Sequence, residues 1–260
     1  MKLSSFILTK NNARSIRYAI ESIIEYVDEL IVVDSGSEDG TQDIVREYTD
    51  KIFFNKFEDF SAQRNFAIQH CKNEWIFFLD ADEVVGENFP QAIKCMGGKY
   101  RSLLMPRYNL INLEPMHFIL SYPHYSEYQQ RFFRNDGGCY FDHPVHHQLM
   151  NSRPRLKLSF SHIFHLHFLL CDYEARKERS KFYESMDKDA GWPEYYLFED
   201  FPFTAASVKE RPQKRIMDML LNDKSLLSYK ANCDPKVQSR YDYKYRGYKW
   251  LTKTRHLFNI

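Results

Sequence analysis

Cysteine pairs, long apolar runs and an excess of one charge are all missing from this sequence. Its five cysteines lie far apart and include no Cys-x-x-Cys pair, so neither a zinc ribbon nor a disulfide framework is predicted, and a reducing compartment fits best. The N-terminal apolar run is too short for a signal peptide, and no stretch of about 18 apolar residues predicts a membrane span. A net charge of +1 gives no support for nucleic-acid binding. We therefore expect a cytoplasmic protein without a nucleic-acid partner.

Aromatic residues, by contrast, are abundant. They make up 16% of the 260 residues, with 18 Tyr and 21 Phe. Such a surplus suits surfaces that face carbohydrate or lipid, but filling of the hydrophobic core is the more common reason. A chain of this length can form one substantial domain, alone or with a smaller appendage.

The first hundred residues alternate short apolar runs with amphipathic segments. Four runs are typical of buried strands, namely Ser5–Thr9, Leu30–Val33, Lys51–Phe54 and Trp75–Leu79. A segment with helical spacing follows each of the first three. Successive βα units predict an α/β fold, with a Rossmann-like, mostly parallel sheet flanked by helices. Because ligands bind at the carboxyl ends of such strands, the polar clusters that follow them are the expected site.

The rest of the chain changes character twice. Between residues 101 and 170, short β-like runs alternate with Pro, Gly and His, which predicts an extension of the sheet with long loops. From residue 171, helical patterns over 173–189 and 205–221 predict a C-terminal helical extension. Residues 236–260 are rich in Lys, Arg and Tyr, which suits either an anionic membrane surface or a solvated tail.

Three carboxylates within four residues follow the fourth predicted strand. Asp80, Asp82 and Glu83 lie so close together that they repel one another unless a cation is present. Carboxylate oxygens suit Mg²⁺ or Mn²⁺, which can bridge a diphosphate. The alternative is a capped turn at the surface, since Asp-x-Asp alone is common.

A second motif places these carboxylates in a known context. The segment Val32-Val33-Asp34-Ser35-Gly36-Ser37-Glu38-Asp39-Gly40-Thr41, taken with Leu8-Thr9-Lys10-Asn11 and Leu79-Asp80-Ala81-Asp82-Glu83, resembles glycosyltransferase family 2. More narrowly, it looks like the bacterial branch of lipopolysaccharide core β-glucosyltransferases. The similarity is specific over about residues 5–90 and looser to about residue 183. It implies a GT-A fold in which residues 1–100 bind the nucleotide sugar and residues 101–170 close the acceptor and metal side, with residues 171–260 as the helical extension.

The resemblance implies contacts to the sugar nucleotide. Thr9 and Asp34 would line the nucleobase and ribose pocket, where the Asp34 carboxylate can accept the uracil N–H of UDP. Asp80 would touch the ribose or a water near the metal. Arg64 would offer donors to phosphate or ribose oxygens, and Arg131 would hold phosphate or support the site. For Arg64 the alternative is an exposed helix residue, and for Arg131 it is a structural ion pair.

The same resemblance implies a metal centre for Mn²⁺ or Mg²⁺. Asp82 would be its main ligand, and His165 would be the late histidine with which many GT-A enzymes close the site; a structural, hydrogen-bonded histidine is the alternative. Phe160–Phe168 alternates like a strand, which would place His165 and His167 on one face. Six histidines close together also suggest zinc, but no Cys partner or His-Glu-x-x-His helix accompanies them.

Three positions depart from the pattern of the branch. Asn12 and Glu38 stand where Glu and Thr are usual, and neither position is expected to bind the metal. His147 stands where the branch has Glu, near the place of the catalytic base in inverting members. Because histidine can act as a general base near neutral pH, His147 is the first candidate. Glu127 is the second, since it matches an Asp of the branch just before the Arg131 segment.

Together these assignments predict an inverting glycosyltransferase. It would transfer a hexose from a UDP-sugar to a hydroxyl group of a lipopolysaccharide core or another cell-surface glycan or glycolipid. A lipid-linked acceptor would fit peripheral contact of residues 236–260 with the inner face of the cytoplasmic membrane. The alternatives are a non-catalytic sugar-nucleotide-binding protein, a zinc hydrolase and a nucleotidyltransferase. The last would be expected to show a Gly-rich basic loop after the first strand, and Lys10-Asn11-Asn12-Ala13 is not one.

Overall fold

The computed structural model describes residues 1–125, 127–144, 148–188, 191–208 and 210–229 of the chain. His147 and the basic, aromatic tail from residue 236 lie outside these ranges, so the roles expected of them stay predictions. Within the ranges, no helix combines the length and the apolar character needed to cross a bilayer.

The first part of the chain builds the parallel half of a sheet. Its elements are β1 (Leu3–Thr9), α1 (Ile16–Ile23), β2 (Glu29–Asp34), α2 (Thr41–Arg46), β3 (Ile52–Phe54), α3 (Phe60–His70) and β4 (Trp75–Asp80). The strands lie in the order β3-β2-β1-β4, and each neighbouring pair is parallel. A helix connects each strand to the next, because parallel neighbours need a crossover. The βα units expected from the sequence are confirmed.

The middle of the chain extends this sheet largely with antiparallel pairs. It comprises β5 (Glu83–Val85), α4 (Phe89–Ile93), β6 (Ser102–Leu113), β7 (Met116–Ile119), β8 (Glu127–Arg134), β9 (Tyr140–Asp142), β10 (Gln148–Met150), β11 (Arg155–Lys157) and β12 (Ile163–His165). Strand β8 lies between β4 and β6 and is antiparallel to both. Strand β12 pairs with β5 and β6. The α/β class and the extension of the sheet are confirmed, and the sheet as a whole is mixed.

The last described part is mainly helical. It contains α5 (His167–Leu170), α6 (Tyr173–Met186), α7 (Pro193–Tyr196), β13 (Ala205–Ser207) and α8 (Lys214–Asn222). The helix predicted over 205–221 is wrong in its first half, because residues 205–207 pair with β7 and add a strand to the sheet. The strand predicted over Phe160–Phe168 is also wrong beyond His165, since the chain turns into α5 at His167.

Apolar side chains cover both faces of the parallel strands. Ile7 and Val32 pack with α1 and α4, whereas their neighbours Phe6 and Ile31 pack on the opposite face with α3. Successive strand residues point to opposite faces, so continuous apolar runs bury both. The site therefore lies at the ends of these strands and not on a face of the sheet.

Candidate functional site

A cleft of about 620 Å³ lies at the carboxyl ends of β1 and β4. Six of the residues that the sequence singles out line it: Thr9, Arg64, Asp80, Asp82, Glu127 and His165. Residues of α3, α6 and α7 complete its wall. The fold thus brings together side chains from strands and helices that are far apart in the sequence, at the place where α/β sheets bind ligands.

Aromatic rings form much of the wall of the cleft. They come from segments that the sequence does not connect with the site: Phe57, Phe60, Phe182, Tyr183, Trp192, Tyr195 and Tyr196. Tyr183 of α6 and Tyr196 of α7 stack with their ring centroids 5.5 Å apart. The aromatic surplus of the sequence therefore contributes to the cleft as well as to the core.

Three side chains in the cleft form a set suited to a divalent cation. Ligand atoms from Asp82, His165 and His167 all lie within 4.8 Å of one another. Asp82 Oδ2 is 3.3 Å from His165 Nε2 and 3.9 Å from His167 Nδ1. The sequence predicts Asp82 and His165 as ligands and misses His167, although its position two residues after His165 is a usable signal.

Strand pairing explains why these residues meet. β12 pairs with β5 so that His165 is opposite Glu83, the residue after Asp82. The backbone N–H of Leu166 donates to the Asp82 carbonyl (2.8 Å), and the chain then turns into α5. This turn returns His167 to the side of His165, and the two rings stack with centroids 5.5 Å apart.

Asn109 fixes the orientation of His165. The pairing of β12 with β6 places these two residues opposite each other. The side-chain oxygen of the fully buried Asn109 accepts from His165 Nδ1 (2.7 Å) and from the Tyr195 hydroxyl (2.9 Å). Because Nδ1 carries a proton, Nε2 is the nitrogen that faces Asp82 and is available as a metal ligand.

We expect Asn109→Ala to weaken Mn²⁺ binding by about 10- to 100-fold, the usual cost of removing the partner that orients a ligating histidine. The alanine leaves His165 Nδ1 without its acceptor, so the ring is free to turn away from Asp82. Asn109→Asp keeps an acceptor in the same place and should retain most of the affinity. Calorimetric titration with Mn²⁺ measures both variants, and equal affinity in the wild type and Asn109→Ala would show that another contact orients the ring.

The chemistry of the donor set fits a divalent metal ion. One carboxylate and two imidazoles suit Mn²⁺ better than Mg²⁺, which prefers oxygen ligands. Burial acts to raise the pKa of Asp82, but His165 and Arg179 outweigh it and hold that pKa well below its usual range. Burial, together with the charge of Arg179, lowers the pKa of His167. The carboxylate is therefore ionised and the His167 imidazole neutral, as metal ligation requires.

Asp80 belongs to a chain of ion pairs beside the candidate metal ligands Asp82, His165 and His167. Its carboxylate oxygens pair with Arg64 (3.1 Å) and Arg131 (3.2 Å). Arg131 also pairs with the fully buried Glu83 (2.7 Å), which in turn contacts Arg107 (3.3 Å). Burial acts to raise the pKa of Asp80, but Arg131 and Arg64 outweigh it and lower that pKa. Two arginines thus hold Asp80 ionised at the edge of the cleft.

Both predicted arginines are buried. Arg64 is 3% exposed and Arg131 is 1% exposed, and their guanidinium carbons lie 5.3 and 4.5 Å from the centre of the Phe78 ring. Arg64 lines the cleft, so its interpretation as an exposed helix residue is wrong. Arg131 is not among the described residues that line the cleft, and it makes the structural ion pairs of the alternative interpretation.

Glu127 lies at the start of β8, on the wall of the cleft. Its carboxylate accepts from Arg107 Nη2 (2.7 Å) and Nε (3.0 Å) and from Gln129 Nε2 (2.5 Å). The Glu127 side chain is 29% exposed, so a ligand in the cleft can reach it. The Tyr195 hydroxyl accepts from Arg107 (3.1 Å), which ties this carboxylate to α7. The sequence does not predict that Arg107 holds the Glu127 carboxylate in place.

Asp34 shapes the loop after β2. It is 1% exposed, and its carboxylate accepts from the backbone N–H groups of Gly36 and Ser37 (both 2.9 Å) and from Gln42 Nε2 (2.8 Å). Asp34 is not among the described residues that line the cleft, and its contact with uracil stays a prediction. Thr9, at the end of the neighbouring strand β1, does line the cleft.

The cleft, the set of Asp82, His165 and His167, and the sheet together define an α/β protein with a cleft at the carboxyl ends of parallel strands, beside a candidate cation centre. The chain belongs to glycosyl transferase family 2, whose family model matches residues 4–152, more than half of the chain. The family expected from the sequence motifs is confirmed, and it is a family of glycosyltransferase enzymes. His165, His167 and Arg179 lie beyond the matched residues.

Curated relatives are similar over part of their length. An uncharacterized glycosyltransferase of Rickettsia felis is 40% identical over 93 residues, which are 36% of this chain and 33% of the relative. The lipopolysaccharide core biosynthesis glycosyltransferase LpsC of Rhizobium meliloti is 35% identical over 88 residues, 32% of each protein. The SPbeta prophage-derived glycosyltransferase SunS of Bacillus subtilis is 30% identical over 158 residues, 59% of this chain and 36% of SunS. The chain therefore spans about a third of the length of these relatives.

Solved structures show a distant similarity. Residues 1–349 of S. aureus TarS, in complex with UDP-GlcNAc, are 16% identical with a TM-score of 0.43, over 76% of this chain and 71% of that one. Glucosyl-3-phosphoglycerate synthase of Mycobacterium tuberculosis, with Mn²⁺ and UDP-glucose, is 18% identical with a TM-score of 0.36, over 42% of this chain and 43% of that one. Both TM-scores are below 0.5, so these structures support no conclusion about the function of this chain.

Proposed function

We propose that this chain transfers a hexose from a UDP-sugar to a hydroxyl group, with inversion at the anomeric carbon and with Mn²⁺ or Mg²⁺ as cofactor. The observation that carries the proposal is the meeting of a carboxylate–imidazole triad, a buried arginine and the Glu127 carboxylate in one cleft of a family 2 glycosyltransferase. The cleft volume of about 620 Å³ falls within the roughly 300–1,000 Å³ of small-molecule sites.

In this proposal the UDP-sugar binds in the cleft at the carboxyl ends of β1 and β4. Asp82, His165 and His167 would hold the cation, which supplies electrostatic stabilisation of the departing UDP. Thr9 and Arg64 line the same cleft and offer a hydroxyl and a guanidinium to the oxygens of the nucleotide. These residues orient the donor so that its anomeric carbon faces the acceptor.

Glu127 is the described residue best placed to take the proton of the acceptor hydroxyl. A hydroxyl becomes an effective nucleophile when a positioned base removes its proton in the transition state. Arg107 and Gln129 hold the Glu127 carboxylate at the wall of the cleft. The branch pattern names His147 ahead of Glu127, and both enter the tests below.

The acceptor in this proposal is a lipopolysaccharide core or another cell-surface glycan or glycolipid. The sequence motifs resemble those of core glucosyltransferases, and the relative LpsC is named for lipopolysaccharide core biosynthesis. Trp192 lines both the cleft and a neighbouring groove of about 420 Å³ that also includes the exposed Tyr122. This groove gives a glycan an aromatic surface beside the donor.

A sugar-nucleotide-binding protein without catalysis is the second candidate. Two observations favour it: the Glu127 carboxylate is already paired with Arg107, and His147 replaces the Glu of the branch. Nucleotidyl transfer and zinc-dependent hydrolysis have less support, because the family is one of glycosyltransferases.

A panel of nucleotide sugars separates these functions when UDP and GDP release are followed with Mn²⁺ or Mg²⁺ present. We expect a UDP-hexose to be the donor, and UDP to bind more tightly than GDP or ADP in calorimetry. Asp34→Ala should reduce that preference, whereas Asp43→Ala, at an exposed position on α2, should leave it unchanged. Tight UDP binding without turnover of any donor would favour the binding protein, and equal affinity for the three nucleotides would remove the uracil role from Asp34.

A further inference from the structure

One guanidinium lies directly against the candidate metal centre. Arg179 Nη1 is 2.9 Å from His167 Nδ1 and 3.5 Å from Asp82 Oδ2. Arg179 is on α6, beyond the residues that match the family model. Two of the three side chains suited to hold a cation therefore already contact a positive charge that belongs to the chain itself.

These contacts use the lone pairs that a metal ion would use. A guanidinium only donates hydrogen bonds, so His167 Nδ1 must accept from Arg179. Asp82 Oδ2 faces the same guanidinium. A divalent cation bound to His167 Nδ1 and Asp82 Oδ2 would meet Arg179 at contact distance, and like charges this close repel strongly. Arg179 and the metal ion thus exclude each other from these two atoms.

The Arg179 side chain has room to move although its helix is anchored. Its side chain is 38% exposed, whereas that of Arg176, one turn earlier, is fully buried and paired with Glu199. The Ser180 hydroxyl donates to the Gly191 carbonyl (2.5 Å) and holds α6 against the following segment. The guanidinium can therefore leave the centre without displacement of α6.

We propose that Arg179 is an exchangeable internal cation, which occupies the metal centre of the metal-free protein and moves to the diphosphate of the donor when the metal ion binds. The inference rests on the proposed function, since it requires a donor site with a metal ion. Phe182 and Tyr183, three and four residues after Arg179, line the same cleft, so the reoriented side chain stays within it. A guanidinium suits a diphosphate because it donates parallel hydrogen bonds to two oxygens.

This exchange couples the metal ion to the nucleotide. In the metal-free protein the guanidinium neutralises Asp82. Without a nucleotide, a metal ion must displace Arg179 into a cleft that offers it no anion from the ligand. With the diphosphate present, the displaced guanidinium gains a partner. Metal ion and nucleotide therefore bind cooperatively, each increasing the affinity for the other by the same factor.

Mn²⁺ binding tests the inference without relying on turnover. Free Mn²⁺ is measured by electron paramagnetic resonance during titration of the wild type, Arg179→Met and Lys181→Met, with and without saturating UDP. Without UDP, Arg179→Met should bind Mn²⁺ about 10-fold more tightly than the wild type, because no guanidinium has to leave. With UDP this advantage should disappear, because only the wild type gains the arginine–diphosphate contact. Lys181→Met, at an exposed position on the same helix, should match the wild type throughout.

Other outcomes would overturn the inference. Equal Mn²⁺ affinity of Arg179→Met and the wild type without UDP would show that the guanidinium does not compete for the centre, and weaker binding by the variant would show that Arg179 supports the ligands. Arg179→Gln, measured alongside, must show the same increase as Arg179→Met. Asp82→Ala distinguishes failure of this inference alone from failure of the proposed metal-dependent function. If it binds Mn²⁺ as well as the wild type does, the metal ion is not held here and the metal-dependent proposal fails with the inference.

Discussion

Turnover is expected to fall by about 1,000-fold or more when Asp82 is replaced by alanine, because the cation then loses its carboxylate anchor beside the departing UDP. Asp82 is the one carboxylate in the triad, and His165, His167 and Arg179 all contact it. Without it, three nitrogen side chains surround the centre with no opposite charge. Excess EDTA should reduce the turnover of the wild type in the same way.

The matched control is Asp136→Ala, since Asp136 is also paired with an arginine but is 39% exposed and is not among the described residues that line the cleft. It should leave turnover unchanged. Full activity of the wild type in excess EDTA would contradict the metal-dependent mechanism. In that case, loss of activity in Arg179→Met would identify the guanidinium as the cation that stabilises the departing UDP.

Replacement of the catalytic base should cause the second large loss of turnover. Glu127→Gln keeps the size of the side chain and an acceptor for Arg107, but the amide cannot take up a proton. We expect kcat to fall by about 100- to 10,000-fold while the Kd for UDP changes little, as for an interaction made mainly in the transition state. Steady-state turnover and calorimetry with UDP measure the two quantities separately.

His147→Ala and Glu114→Gln complete this experiment. Glu114 is an exposed residue in the turn between β6 and β7, so its amide variant controls for the loss of a negative charge. A loss in Glu127→Gln alone assigns the base to Glu127, and a loss in His147→Ala alone assigns it to His147, the first candidate from the branch pattern. Near-normal turnover in both variants would mean that neither residue is the base.

The elements that the sequence predicts well depend on local pattern. Strands β1, β2 and β4 each contain a continuous apolar run that ends at a polar residue, and a buried parallel strand needs little more to be identified. Asp82 follows such a strand directly, so its place at the edge of the sheet can be predicted without knowledge of any distant contact. His165 required the family resemblance, because nothing local distinguishes it from the other histidines nearby.

The features that escape prediction arise from pairing between distant segments. Asn109 orients His165 only because β12 pairs with β6, and no spacing in the sequence shows that register. Arg131 and Arg107 meet Glu83 only because β8 pairs with β4 and β6, and because β12 pairs with both β6 and β5. The missed ligand His167 has a local cause. Strand alternation would place His165 and His167 on one face. The chain instead turns into a helix after Leu166, and this turn also brings His167 to the side of His165.

The position of β8 also has a consequence for the order in which the site is assembled during translation. This strand is made after β4 and β6 but lies between them, so the middle of the sheet cannot close until residues 127–134 have left the ribosome. Until then Asp80 and Glu83 lack Arg131, and the cleft lacks Glu127. Insertion of β8 between β4 and β6 and formation of the ion pairs of Arg131 with Asp80 and Glu83 are therefore the same event, and a nascent chain that ends before β8 has neither.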